Sequence, residues 1–194
     1  MQETLDNKKK KKKKISKEKI QKRNKIITLI VCIVSAIALI GLTIFIISHN
    51  MYQTGQIGDY DNNYIVKYNN FMKQDENVYY VYFYLNEDTN CKNTKSTILS
   101  YQRSIAQKKN APIYTYEVTK DLANFINMND NYISIANLQG ITKNNYQEAK
   151  LGDVPCLALI RKQDGIQTIM SYVIGLESID AQLKLNVNYE YLIG

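Results

Sequence analysis

An α/β fold, a mixed sheet flanked by helices and preceded by one membrane-spanning helix, is what this 194-residue sequence predicts. Three observations point to it. Residues 26–47 contain no charged side chain, and a helix of that length reaches about 33 Å, enough for a hydrocarbon core of about 30 Å. Residues 78–85 (VYYVYFYL) are unbroken β-branched and aromatic residues, the composition of a strand buried on both faces. Around and after that run, stretches with helical spacing alternate with further short apolar runs, which is the order of a mixed sheet covered by helices.

Each element follows in chain order. Residues 1–25 are a basic tail and 26–48 the membrane helix, read as an uncleaved signal-anchor because the apolar run is much longer than a signal-peptide core of about 7–15 residues. Residues 49–61 carry two glycines and no apolar period, so they read as a linker. Tyr64, Ile65, Tyr68, Phe71 and Met72 recur at helical spacing. Strand 78–85 follows, then an amphipathic helix over 91–109 marked by Ile98, Leu99 and Ile105. Residues 113–118 (IYTYEV) make a second strand. Residues 120–126 look helical, 143–150 give a weaker helical pattern, and the Asn-rich stretches between fit no period. Runs 156–161 (CLALIR) and 167–174 (QTIMSYVI) are strands joined through Asp164-Gly165, a hairpin signal because glycine accepts the positive φ of a tight turn. Gly175 precedes a last helix over 177–184. Leu185, Val187, Tyr189 and Tyr191 alternate with polar residues, so the tail 186–194 either adds an edge strand or packs along the surface.

Charge excludes one class of function. The net charge is +7 from 25 basic and 18 acidic residues, but residues 1–25 hold 12 basic and 3 acidic of these, leaving 13 and 15, or −2, for the rest. The basicity is a tail property, and no nucleic-acid partner is expected. Basic residues crowd the N-terminal flank of the apolar run, with an unbroken heptalysine at 8–14, and His49 to Tyr60 has none. The positive-inside rule puts the tail in the cytoplasm and the domain outside a cell membrane, in the envelope. The lysines also favour an anionic leaflet, by about 1 kcal/mol for each one near the surface. Cys32 lies inside the run as a small apolar side chain.

Catalytic chemistry finds few residues to carry it. Three cysteines and one histidine are too few for a common zinc site or a disulfide framework, so no metal and no cofactor is expected. The single histidine adjoins the membrane run, which leaves Ser-His or Cys-His catalysis without a base. No glycine pattern suits phosphate binding.

Residues 81–92 (VYFYLNEDTNCK) and 153–160 (DVPCLALI) resemble the thioredoxin family. In that family a buried strand with an aromatic pair enters a CxxC loop at the head of a long helix. A cis-proline later precedes a strand-hairpin-strand unit, a glycine and a final helix. The resemblance covers residues 62–185 and implies a thioredoxin-like domain there, with Val154-Pro155 as the cis-proline loop that meets a substrate or partner. The departures bear on function. Cys91 matches the second cysteine of CxxC, but the attacking cysteine falls on Asp88, giving a degenerate Asp88-Thr89-Asn90-Cys91. A carboxylate cannot attack a disulfide. The buried acid of many members falls on Tyr82, and residues 119–152 hold a surplus of chain. The expected role of Asp88 is a helix N-cap.

The resemblance thus implies a membrane-tethered module that is not an enzyme and that binds a protein partner or assists assembly. Two alternatives stay open. One is a divergent thiol-disulfide oxidoreductase using Cys91, either paired with Cys156 next to the cis-proline or as a Cys91-Lys92-Asn93-Thr94 monothiol site. The other is a structural subunit of a secretion or conjugation-type membrane complex.

Overall fold

The computed structural model describes residues 2–108, 110–125 and 136–185, with side chains described outside 2–18 and 106–108. The expected edge strand at 186–194 lies outside these residues. The chain divides into two compact units, 1–50 and 51–194.

The first unit belongs to helix α1 (Gln2–Gln53). Its stretch Lys19–Gln53 is long and apolar enough to cross a membrane. Every side chain from Lys19 to Gln53 is exposed, and even Leu39 and Phe45 are two-thirds accessible. An apolar surface that continuous is unfavourable in water and calls for an apolar surrounding.

The second unit is built on a four-stranded sheet in the order β2-β1-β3-β4. Strand β1 (Val78–Tyr84) pairs in parallel with β2 (Ile113–Glu117). The connection between them is α2 (Thr89–Lys108), as a parallel pair requires a crossover. Strand β3 (Cys156–Gln163) runs antiparallel to β1, and β4 (Ile166–Ile174) antiparallel to β3. Helix α4 (Leu176–Leu185) closes the order. This is the thioredoxin-like mixed sheet flanked by helices that the resemblance implies. The hairpin turn is Asp164-Gly165, and both residues have positive φ, 50° and 80°, as the twist-compatible two-residue turn demands.

Alternation along β1 separates two cores. Tyr80 and Tyr82 face α2: the Tyr80 ring meets Tyr101 edge-on at 6.3 Å, and the Tyr82 hydroxyl reaches the Cys91 carbonyl. Cys91, Thr94, Ile98, Tyr101 and Gln102, the buried residues on that side of α2, follow helical spacing. Tyr79 and Phe83 face the other way. The Tyr79 hydroxyl donates to the Phe71 carbonyl, and Phe83 packs on Phe71, Tyr116 and Phe125 with centroids 5.5–5.7 Å apart.

The second face departs from expectation. No α-helix forms over 64–72: a 3-10 turn at Asn62–Tyr64 is followed by an Ile65–Thr115 bridge and turns. Asn70 explains it, because its carboxamide oxygen accepts the Lys67 N–H at 2.7 Å and so competes with a helical ladder. Phe71 and Met72 still reach the core. The helical pattern at 120–126 resolves into a 3-10 turn (Thr119–Asp121) and the single turn α3 (Leu122–Phe125), and that at 143–150 into a 3-10 turn, Tyr146–Glu148. Among the described residues α2 and α4 are the long helices of this unit, and they pack against each other.

A core this rich in phenols predicts an alkaline limit. Burial pushes Tyr84 up to about 12, and it also raises Tyr79, Tyr101, Tyr114 and Tyr116. A raised folded value favours the neutral form. Stability is therefore fully present below the unfolded tyrosine value of about 10 and is lost as pH rises from there through about 12. Urea midpoints should hold level up to about pH 10 and then fall steeply; a flat profile to pH about 11 would contradict this account.

Candidate functional site

The loop after β1 delivers Asp88 to the head of α2. Its carboxylate accepts the Cys91 N–H at 2.8 Å and its carbonyl the Lys92 N–H at 3.0 Å, which makes Asp88 the N-cap. Asp88 is thus a structural carboxylate. Asp88→Ala should lower stability by about 0.5–2 kcal/mol, with Asp88→Asn close to wild type. Equal urea midpoints for Asp88→Ala and wild type would show that the cap contributes nothing.

Cys91 sits three residues into the helix, where an exposed thiol would be acidified. Here it is only 2% exposed, and its Sγ accepts the Leu85 N–H at 3.4 Å. Desolvation pushes the thiol up to about 12; the Leu85 N–H works against this, and Asp88 adds to it. Burial therefore favours the protonated thiol at pH 7 and disfavours the thiolate, the usual nucleophile. Tyr82 is likewise raised by burial, and its ring stacks on Tyr84 at 5.6 Å.

Cys156 is fully buried and both thiols are free. Burial raises the Cys156 thiol, with Asp153 adding to the rise. Its register partner on β1 is Phe83, and directly opposed residues share a face. Cys156 therefore lies on the Phe83 side of the sheet and Cys91 on the α2 side. The pairing considered from the sequence is not what the structure brings together. Cys156 follows Val154-Pro155, whose peptide bond is cis. Both residues are buried, and the Pro155 carbonyl accepts the Gly175 N–H at 2.9 Å.

Sequence reasoning missed the contribution of residues 52–60, read as a bare linker. Residues 52–58 loop round the Arg103 guanidinium, which stacks on the Tyr52 ring at 3.8 Å and donates to the carbonyls of Tyr52 and Ile57. Gly55 is buried against α2 with φ +75°, and a Cβ there would lie 2.1 Å from the Ser96 carbonyl oxygen. Tyr60 then lies over the head of α2, its centroid 4.9 Å from Tyr84 and 6.3 Å from Tyr82. Lys95 sits 5.5 Å above the Tyr60 ring and 3.4 Å from the Asp59 carboxylate. Two glycines, Gly55 and Gly58, between the aromatics Tyr52 and Tyr60 were the only signals available in the segment. Asp59, Tyr60, Tyr84, Cys91, Lys92 and Lys95 border a cleft of about 480 Å³. Among the described residues no group of His, Cys, Asp and Glu is placed to hold a metal ion.

No family model matches the chain, and no curated protein matches it. Among solved structures it is similar to a thioredoxin of Trichomonas vaginalis, at 14% identity and a TM-score of 0.33, over 56% of this chain and 78% of that one.

Proposed function

We propose that the chain is a membrane-tethered, extracytoplasmic thioredoxin-like module that binds a protein partner and does not exchange disulfides. The single observation behind this reading is the chemistry at the head of α2: the carboxylate of Asp88 serves as a helix cap at 2.8 Å from the Cys91 N–H, and the Cys91 thiol is buried, which favours its protonated form. The scaffold keeps the cleft and lacks the attacking group. Residues 26–48 act as the span, and the basic tail holds the N-terminus in the cytoplasm. The domain 62–185 is presented in the envelope, with the cleft beside Cys91 as its recognition feature.

The full chain in detergent should show no disulfide-reduction activity above buffer, and Cys91→Ser should match it. Co-purification from membranes, after cross-linking through a photoreactive group at Lys92, should recover a discrete protein partner. Turnover that is abolished by Cys91→Ser would replace this reading with an oxidoreductase.

A further inference from the structure

Tyr60 and Asp59 are an acidic–aromatic pair seated on the head of α2, and the seat is built from complementary parts. The phenol ring rests on Tyr84 at 4.9 Å and on Tyr82 at 6.3 Å, distances at which tilted aromatic pairs attract. Lys95 serves both residues, its ammonium 5.5 Å from the ring and 3.4 Å from the carboxylate. The exposed ion pair adds little by itself, so the ring contacts hold the pair, with the Lys95 charge complementary to an acidic neighbour. Tyr82, fully buried, has the Tyr60 ring tilted against its own, and the cleft that Tyr60 borders also reaches Cys91.

We infer that the head of α2 is a receptor for an acidic residue followed by tyrosine, and that Asp59-Tyr60 is its intramolecular occupant, which a peptide of the same chemistry displaces. This rests on the partner-binding reading and specifies it: the partner presents an Asp-Tyr or Glu-Tyr segment, and residues 59–60 compete with it. Displacement uncovers Tyr82 and Cys91, so the buried thiol reports the state of the seat.

The test uses the full chain in detergent, in a Cys32→Ser background, with maleimide labelling of Cys91 read by mass spectrometry. Tyr60→Ala should speed Cys91 labelling roughly tenfold, the worth of one aromatic pair and one cation–π contact. Cys156, on the opposite face, should stay unlabelled. A blocked peptide of residues 58–61 (Gly-Asp-Tyr-Asp) should then slow Cys91 labelling in Tyr60→Ala saturably, and the same peptide with Ala for Tyr should not. Unchanged Cys91 labelling in Tyr60→Ala, or no protection by the peptide, overturns the inference. If Cys156 also becomes labelled, Tyr60→Ala has unfolded and Lys95→Ala replaces it. That variant must show faster Cys91 labelling with Cys156 silent, and its failure to do so overturns the inference. Partner capture by the wild-type chain is read separately, so loss of peptide protection leaves the wider binding proposal standing, whereas absence of a partner leaves the seat intact.

Discussion

Replacing Phe83 with alanine should lower the stability of the outer domain by about 3–5 kcal/mol, the usual cost of deleting a buried aromatic ring. Phe83 is fully buried, and its ring is shared by Phe71, Tyr116 and Phe125, each from a different segment. Truncation therefore leaves a void walled by three rings that cannot all move inward together. Against a total stability of about 5–15 kcal/mol for a typical domain, the loss is a large fraction. Urea unfolding followed by circular dichroism should show a markedly lower midpoint. Ile166→Ala, at a position 40% exposed, should stay within about 0.5 kcal/mol of wild type. A Phe83→Ala midpoint as mild as that of Ile166→Ala would mean the second core does not hold the sheet.

The second large effect belongs to α1. Ile37 lies at the middle of residues 26–47, where an arginine costs about 2.5–3.5 kcal/mol on insertion scales and the lost isoleucine adds a few tenths. On the membrane-spanning reading, Ile37→Arg should reduce the inserted fraction many-fold. The same substitution at Asn24, among the exposed polar residues of the flank, should leave it unchanged. Carbonate extraction combined with cysteine-accessibility mapping of the domain measures both. Equal extraction of Ile37→Arg and wild type would show that residues 26–47 do not hold the chain in the bilayer.

Much of this architecture is legible in the sequence because its signals are local. The run 78–85 has no polar break, Asp164-Gly165 can make one kind of turn, and Asp88 stands three residues before Cys91 at the head of an apolar-periodic segment. Each of these is decided within a few residues, and the structure places them as β1, a two-residue hairpin and an N-cap. What escaped reading depends on partners distant in the chain. The period over 64–72 is real, since Tyr68 and Phe71 do face one core, but Thr115 and Asn70 take the backbone groups a helix would need. Residues 52–60 have no period because their contacts are with Lys95 and Arg103, about forty to fifty positions away. The separation of Cys91 from Cys156 follows from register, and register cannot be counted before the Phe83–Cys156 pairing is known.

The way residues 52–60 lie on α2 also has a mechanical meaning. A pull applied at residue 51 does not reach β1 directly. It meets the Arg103 contacts with Tyr52 first, then the close approach of Gly55 to Ser96, next the Arg103 bond to Ile57, and only afterwards the Lys95 contacts with Asp59 and Tyr60. The fastenings are loaded one after another, so tension would peel the segment from the helix in steps while the sheet stays unloaded. Force on the tether would thus free Tyr60 last, with the fold still intact.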